Sequence, residues 1–150
     1  MYCRFIFIFL FSSITSATEI KPFTSDGCSA FPDGTFSQQS LWSNCCFLHD
    51  LAYWKGGTEA QKKTADYKLK LCVENVGEPA IAKLMVTGVQ LGGSPAFNTP
   101  FRWGYGWPFG RGYEPLSRSD KLQVKQKLNR FKLLIDQEVK QLSLEISEDE

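Results

Sequence analysis

The sequence predicts a small, mainly α-helical protein stapled by disulfides. Hydrophobic residues recur at spacings of three and four in several segments, Gly-Gly pairs punctuate these segments, and an even set of cysteines remains once an N-terminal leader is set aside. A chain of 150 residues is long enough for one domain with its own core. Its net charge of +1 argues against nucleic acid as the main partner.

Residues 1–17 are typical of a secretory signal peptide. A short cationic start (residues 1–4) precedes an unbroken apolar run (residues 5–11), and Thr15-Ser16-Ala17 offers small residues for cleavage. The apolar run is much shorter than the roughly 20 residues of a spanning helix. An uncleaved interfacial anchor is the alternative. We therefore expect a mature protein that is secreted or periplasmic.

Four cysteines remain in the mature chain, namely Cys28, Cys45, Cys46 and Cys72. An oxidising compartment favours two disulfides over a zinc site that would include His49. A bond between the adjacent Cys45 and Cys46 would close a strained ring, so each of them is expected to bond elsewhere. Two pairings then remain.

Two helices are predicted on either side of the tight turn at Gly56-Gly57. The first spans about residues 41–54 and follows an irregular, turn-rich stretch over residues 26–40. The second begins with a capping box formed by Thr58 and Gln61 and ends near Gly77. A short turn makes the two helices antiparallel neighbours. The buried side of the second helix is expected to comprise Ala65, Leu69, Leu71, Cys72 and Val76.

The register of the two helices brings several of these residues to similar heights. Counted outward from the turn at about 1.5 Å per residue, His49 lies roughly level with Asp66, and Cys45 roughly level with Cys72. A bridge between Cys45 and Cys72 would therefore bring Asp66 toward His49. It would leave Cys46 to hold Cys28 and the turn-rich loop.

Residues 45–53 place the only histidine of the chain beside a carboxylate and one helical turn beyond the cysteine pair. Residues three and four apart share a helix face, so Cys46, His49, Asp50 and Tyr53 form one stripe. The simplest interpretation of His49 is a core histidine whose hydrogen bond is satisfied by a neighbouring carboxylate. For Cys45 and Cys46, a thiolate nucleophile activated by His49 is an alternative to disulfide bonding. The cysteine pair and the spacing from Asp66 to Cys72 favour a catalytic histidine.

The segment Cys45-Cys46-Phe47-Leu48-His49-Asp50, with Tyr53, resembles the active-site helix of the secreted phospholipase A2 superfamily. Asp66, six residues before Cys72, is similar to the second catalytic aspartate of that family and the cysteine that bonds the first member of the pair. This resemblance implies the disulfides Cys45–Cys72 and Cys28–Cys46, the same pairing that the register favours.

The loop before the first helix is closer to the microbial type of that family. Asp26-Gly27-Cys28-Ser29, followed by Pro32-Asp33, resembles a calcium loop that uses an aspartate side chain. The glycine-rich calcium loop of the animal enzymes is missing, and Ala52 stands where those enzymes usually carry a cysteine. The resemblance covers residues 26–72, less than half of the mature chain.

The resemblance implies calcium-dependent hydrolysis of the sn-2 ester of glycerophospholipids, with water as the nucleophile. His49 would be the general base, Asp66 would hold its other ring nitrogen, and Tyr53 would help to position Asp66 or the helices. The phospholipid substrate would lie in a membrane or aggregate. The alternative function is a non-catalytic secreted binding or toxin-like module on the same scaffold.

Calcium is the cofactor that the resemblance implies. Its expected ligands are the Asp50 and Asp26 carboxylates and the Gly27 carbonyl, in keeping with the preference of calcium for oxygen. Asp33 belongs to a Pro-Asp-Gly turn, and we expect a structural role for it rather than ligation.

The remaining chain is predicted to add two helices and an aromatic loop. A third helix starts at Pro79 and ends at Gly92-Gly93, with Ile81, Leu84, Met85 and Val89 on one face. The aromatic and glycine-rich loop over residues 92–113 either inserts at a lipid interface, where Arg102 and Arg111 could contact phosphates, or covers the core as a rigid loop. We favour the rigid loop. Residues 18–115 are then the phospholipase A2-like domain.

The C-terminal extension, residues 116–150, is predicted to form an amphipathic helix of about 25 residues. Its mixed charge disfavours a membrane surface, so packing on the domain, self-association or a protein partner is expected. The apolar stripe comprises Val124, Leu128, Phe131, Ile135, Val139, Leu142 and Ile146.

Overall fold

The computed structural model describes residues 18–148, and this part of the chain is mainly helical without any strand. The four helices are α1 (Ser43–Lys55), α2 (Glu59–Asn75), α3 (Pro79–Gly92) and α4 (Arg118–Glu148). The predicted signal peptide lies outside the described residues. No helix within them combines the length and the hydropathy needed to cross a membrane.

The turn between α1 and α2 forms as the sequence predicts. Gly56 ends α1 with a φ of +65°, a backbone conformation that favours glycine. At the start of α2 the Thr58 side chain accepts a hydrogen bond from the Gln61 backbone N–H, and the Gln61 side chain accepts one from the Thr58 N–H. This capping box fixes the direction of α2 so that it returns along α1.

Two disulfides fasten the helices and the preceding loop. Cys45 on α1 bonds Cys72 on α2, with a Cα–Cα distance of 5.7 Å. Cys46 bonds Cys28 in the turn-rich loop, with a Cα–Cα distance of 5.0 Å. The predicted pairing is therefore the one that forms.

The buried face of α2 differs in part from the prediction. Ala65, Leu69 and Val73 are buried, but Leu71 and Val76 are 38% and 37% exposed, so their predicted burial is wrong. Leu71 lies two residues from Leu69 and hence on the opposite side of the helix, and Val76 follows the last residue of α2. The interior positions go instead to two charged side chains, Lys62 and Asp66, which are 5% and 1% exposed.

The aromatic loop (residues 92–113) covers the C-terminal end of α1, where backbone carbonyls have no partner within the helix. The backbone N–H of Gly104 donates to the Tyr53 carbonyl (2.7 Å), and the indole N–H of Trp107 donates to the Lys55 carbonyl (2.8 Å). The indole of Trp103 reaches the Gly57 carbonyl in the same way (2.8 Å). The loop thus covers the core at these positions, as in the arrangement we favoured, whereas Phe97, Phe101, Phe109 and Tyr113 of the same loop are exposed.

Helix α4 packs on the rest of the protein along only part of its length. Val124 is buried among Ile20, Phe23, Trp54 and Trp107. The helix spans 31 residues, longer than predicted. Every residue from 132 to 147, which we call the free half of α4, is exposed.

Candidate active site

The His49 imidazole is held between α1 and α2 by a buried carboxylate. Its Nε2 lies 3.0 Å from Oδ1 of Asp66, and the two residues are 8% and 1% exposed. The Tyr53 hydroxyl donates to the same Oδ1 at 2.7 Å, and the Tyr53 ring stacks beside the imidazole with centroids 4.1 Å apart. Three of the residues predicted to act together are therefore in direct contact.

The tyrosine donates and does not ionise. Burial and the neighbouring Asp66 carboxylate raise the pKa of Tyr53 well above its ordinary value. Gly93 at the end of α3 makes room for this side chain, because a Cβ there would lie 2.6 Å from the Tyr53 hydroxyl oxygen. The tyrosine thus links α3 to the His49–Asp66 pair.

A fourth member of this group, Lys62, was missed by the sequence analysis. Its Nζ donates to Oδ2 of Asp66 (2.9 Å) and to the Val89 carbonyl (3.3 Å), and it lies 5.3 Å from the centroid of the Tyr53 ring. The signal for it was present: Lys62 stands four residues before Asp66, on the same face of α2.

The Asp66 carboxylate stays ionised in spite of its burial. Burial raises the pKa of this group, but hydrogen bonds from His49, Tyr53 and Lys62, together with the charge of Lys62, hold it below its ordinary value. An ionised Asp66 can only accept hydrogen bonds, so His49 must present its proton on Nε2. The other ring nitrogen, Nδ1, has no hydrogen-bond partner among residues 18–148 and is left as the basic nitrogen.

Asp50 follows His49 on α1 and faces the turn-rich loop. Its Oδ2 accepts a hydrogen bond of 2.6 Å from the Ser25 hydroxyl, a contact that no sequence signal indicated. Burial raises the pKa of Asp50 to about 6, and the negative charges of Asp26 and Asp33 add to this effect against the opposing influence of Ser25 and His49. Asp50 is therefore close enough to the carboxylates of Asp26 and Asp33 to be affected by their charge.

The turn-rich loop brings Asp26 and Gly27 to the same side of the molecule. Asp26 is exposed and accepts a hydrogen bond from the Ser29 hydroxyl (2.9 Å), so its carboxylate retains capacity for further contacts. Gly27 has a φ of +77°, and a Cβ on it would lie 2.5 Å from Asp33. Asp33 in turn accepts the Cys28 N–H (2.8 Å), which is the structural role predicted for it.

The chemistry of this region suits an oxygen-seeking cation better than a thiophilic one. Among the His, Cys, Asp and Glu side chains of the described residues, one group of three has its donor atoms within 4.8 Å of one another, namely Cys28, Asp33 and Cys46. The two sulfurs of that group are bonded to each other, so neither is a thiolate. Asp50, Asp26 and the Gly27 carbonyl supply only oxygen, the ligand type that calcium prefers. These residues match the predicted cation in the type of their donor atoms.

A groove of about 430 Å³ opens beside His49 and Asp50. Its size falls in the range of small-molecule sites. The predicted apolar face of α3 forms much of its wall, and Leu84, 57% exposed, lines this groove rather than the core. The principal apolar wall residues are Phe31, Leu69, Leu84, Met85, Val89 and Phe101.

The two arginines of the aromatic loop are engaged within the protein. The Arg102 guanidinium is 5% exposed and donates to the carbonyls of Gly104 (2.7 Å) and Trp107 (2.6 Å). Arg111 pairs with Asp120 at 2.6 Å and stacks on the Trp107 ring. The alternative in which these two residues contact lipid phosphates is therefore wrong, because both hold the loop and α4 in place.

Comparison with protein-family models, with curated proteins and with solved structures finds no match to this chain. The function must therefore be argued from the site itself.

Proposed function

We propose that this protein hydrolyses the sn-2 ester of glycerophospholipids, in a calcium-dependent reaction with water as the nucleophile. The observation that carries the proposal is a buried His49–Asp66 pair whose histidine opens onto an apolar groove beside Asp50. A base, an oxygen ligand for a cation and an apolar wall meet at one place, which is the combination that an aliphatic ester beside a phosphate requires.

His49 acts as the general base in this proposal. Its Nδ1 accepts a proton from a water molecule as that water attacks the ester carbonyl, and later returns the proton to the departing alcohol. Asp66 accepts the Nε2–H throughout and stabilises the imidazolium that forms. Tyr53 donates to Asp66 and keeps this carboxylate aligned with the imidazole.

Asp50, Asp26 and the Gly27 carbonyl hold calcium in this proposal. The bound ion supplies an electrophile for the ester carbonyl and a counter-charge for the substrate phosphate. Asp50 lies next to His49 on α1, so the cation ligand and the base are fixed by the same helix. The apolar wall from α3 receives the acyl chain.

The test is release of fatty acid from vesicles of sn-2-labelled phospholipid by purified mature protein, with calcium or with a chelator. We expect release only with calcium, and a loss of about 10²–10⁴-fold in His49→Gln because the general base is removed. Asp50→Asn should also be inactive. Asp136→Asn, the same change on the exposed free half of α4, is the matched control and should retain full activity.

Absence of release with several headgroups, from protein with intact disulfides and a cooperative thermal transition, would contradict the proposal. Equal release by His49→Gln and the unsubstituted protein would contradict the role of His49.

The free half of α4 supports a second, binding role for the protein. Its part of the apolar stripe comprises Ile135, Val139, Leu142 and Ile146, which are between 47% and 65% exposed. A helix that exposes such a stripe commonly covers it with another helix. We propose that a second copy of the chain or a protein partner packs here, as the sequence predicts.

A further inference from the structure

The charges of α4 are sorted along the helix. Residues 118–132 carry six basic side chains and one acidic one, whereas residues 133–147 carry three acidic side chains and one basic one. Cations near the N-terminal end of a helix and carboxylates near its C-terminal end oppose the helix dipole. The stability of α4 alone therefore does not explain this order, whereas a complementary charged surface would.

The free half of α4 is a helix without packing in the single chain, since each of residues 132–147 is exposed. Helices in proteins are stabilised mainly by packing of an amphipathic face, and an isolated helix of this length is marginal in water. The stripe of the free half lies on the side of α4 that packs on the body, because Ile135 follows Phe131 by one turn. A second molecule against this side would supply the missing packing.

A second groove, of about 640 Å³, opens beside α4 at the point where the free half begins. Phe131 lines this groove together with Phe23 and Phe47. All three side chains belong to the cluster around Trp54 or pack against it. The groove is therefore an apolar extension of the core at the surface, next to the start of the free half.

We propose that the free half of α4 packs on a second copy of this chain, with the two α4 helices antiparallel and centred near Ile135. This inference rests on the binding role proposed above, to which it assigns one occupant, and it does not depend on the hydrolysis.

An antiparallel pair places the free half of each copy beside the basic half of the other. With its centre near Ile135, Val139 of one copy lies level with Phe131 of the second copy. The stripe of each free half then covers the groove at Phe131 of the other chain. The two contacts are identical by symmetry, so the assembly closes as a dimer.

The charged side chains beside the stripe favour this direction. Lys127, Glu138 and Glu145 are separated by nearly whole numbers of turns and so share one side of α4, with Arg130 one turn beyond Lys127. In the antiparallel pair, Glu138 and Glu145 of one copy lie within about one turn of Arg130 and Lys127 of the second. Lys127 also pairs with Glu19, but on the surface, where that glutamate is 74% exposed. A parallel pair would set like charges side by side.

The test is sedimentation velocity of the mature protein between about 1 μM and about 300 μM, a range in which a weak dimer dissociates and forms. The unsubstituted protein should dimerise as its concentration rises. Glu138→Lys with Glu145→Lys should weaken the dimer at least about tenfold, and so should Lys127→Glu with Arg130→Glu. The four changes together should restore the affinity to within about threefold, because opposite charges face each other again.

Lys121→Glu with Lys125→Glu is the matched control. Lys125 is exposed and lies two residues before Lys127, hence on the opposite side of α4, and Lys121 is one turn from Lys125. This variant has the same change of charge as Lys127→Glu with Arg130→Glu. Its dimer should keep an affinity within about threefold of the parent, because charges beyond the interface are screened at physiological salt.

A parent protein that stays monomeric at the higher concentration overturns the inference, and so does unchanged dimerisation of either reversed pair. A fourfold variant that is folded but stays monomeric also overturns it. If a reversed variant does not fold, the parent dimer should still weaken several-fold between about 0.05 M and about 0.5 M sodium chloride, and a dimer insensitive to salt overturns the inference. Dimerisation of protein that releases no fatty acid would support the inference and contradict only the proposed hydrolysis.

Discussion

Helices α1 and α2 bury their facing sides against each other, whereas α4 buries its apolar stripe only as far as Phe131, which packs against the cluster around Trp54. The amphipathic pattern of the sequence is weaker in α1 and α2 than in α4, so this pattern does not explain the difference between the two regions. The two regions differ in their connections along the chain: a short turn and a disulfide specify the neighbour of α1, whereas residues 132–147 are exposed throughout. An apolar stripe therefore defines a face but not a partner.

The largest expected effect is the loss of the bond that fixes the α1–α2 register. Replacing Cys45 and Cys72 together with serine opens a loop with a sequence separation of 27 residues. We expect the free energy of unfolding to fall by about 3–4 kcal/mol, measured by urea titration. The contact between His49 and Asp66 should loosen, so activity should fall as well.

The matched variant for this test replaces Cys28 and Cys46. Its closed loop has a similar separation of 18 residues, so the loss of stability should be similar. The Nε2–H form of His49, observed in proton–nitrogen NMR spectra, should survive in this variant. The Cys45–Cys72 bridge still joins the two helices that carry His49 and Asp66. An equal loss of the Nε2–H form of His49 in the two double variants would contradict the special role of the Cys45–Cys72 bridge.

A smaller effect compares two valines on the same helix. Val124 is 9% exposed and packs into the cluster around Trp54, whereas Val139 is 57% exposed. We expect Val124→Ala to lower the free energy of unfolding by about 1–2 kcal/mol and Val139→Ala to change it by less than about 0.5 kcal/mol. A comparable loss at both positions would mean that the free half of α4 is packed against another molecule in solution.

A third prediction concerns the pH dependence of Asp50, whose pKa is raised from 3.8 to about 6 in the folded protein. The folded chain holds this proton more tightly than the unfolded chain, so with a chelator present this group lowers stability as pH rises from about 4 to about 6. Under the proposed function, calcium would bind the ionised form of Asp50. The rise in Tm on adding calcium should therefore be larger at about pH 7 than at about pH 5.

Asp50→Asn cannot titrate and is the control for that experiment. Its Tm should lose this part of the pH dependence and should respond little to calcium. An equal response to calcium at both pH values in the unsubstituted protein would exclude Asp50 as the ligand.

The smallest expected effect on stability comes from deleting residues 132–150. Residues 132–147 are exposed throughout, so the body should unfold at nearly the same urea concentration. The deletion should instead change the sedimentation behaviour, because the proposed partner surface is lost. If the full chain and the shortened chain both sediment as monomers at high concentration, this result would argue against self-association.

Much of the site could be predicted because it depends on distances along the chain. The Gly56-Gly57 turn fixes the antiparallel pairing, and the bonded Cys45 and Cys72 set the register that brings Asp66 to His49. These constraints are local or covalent, and hence visible in the sequence.

The parts that were missed depend on the third helix and the loops. Lysines are rarely buried, so periodicity alone assigns Lys62 to the surface. Its burial is explained by Asp66 together with the Val89 carbonyl of α3, a contact 27 residues away. The prediction for Leu71 was wrong for a different reason, because Leu71 lies on the side of α2 opposite the buried Leu69. The hydrogen bond from Ser25 to Asp50 depends on the path of an irregular segment, which no periodicity of the sequence specifies.

The aromatic loop that covers the end of α1 also determines what the intrinsic tryptophan fluorescence of this protein can report. All four tryptophans of the chain are at most 3% exposed, and two of them, Trp103 and Trp107, belong to this cover. Their emission should shift to longer wavelength as the fold opens, which gives an optical measure of unfolding. Contact with a vesicle should leave the emission unchanged, because no indole reaches the surface. A tryptophan introduced at Phe97, which is 58% exposed, would supply the missing optical probe of the lipid surface.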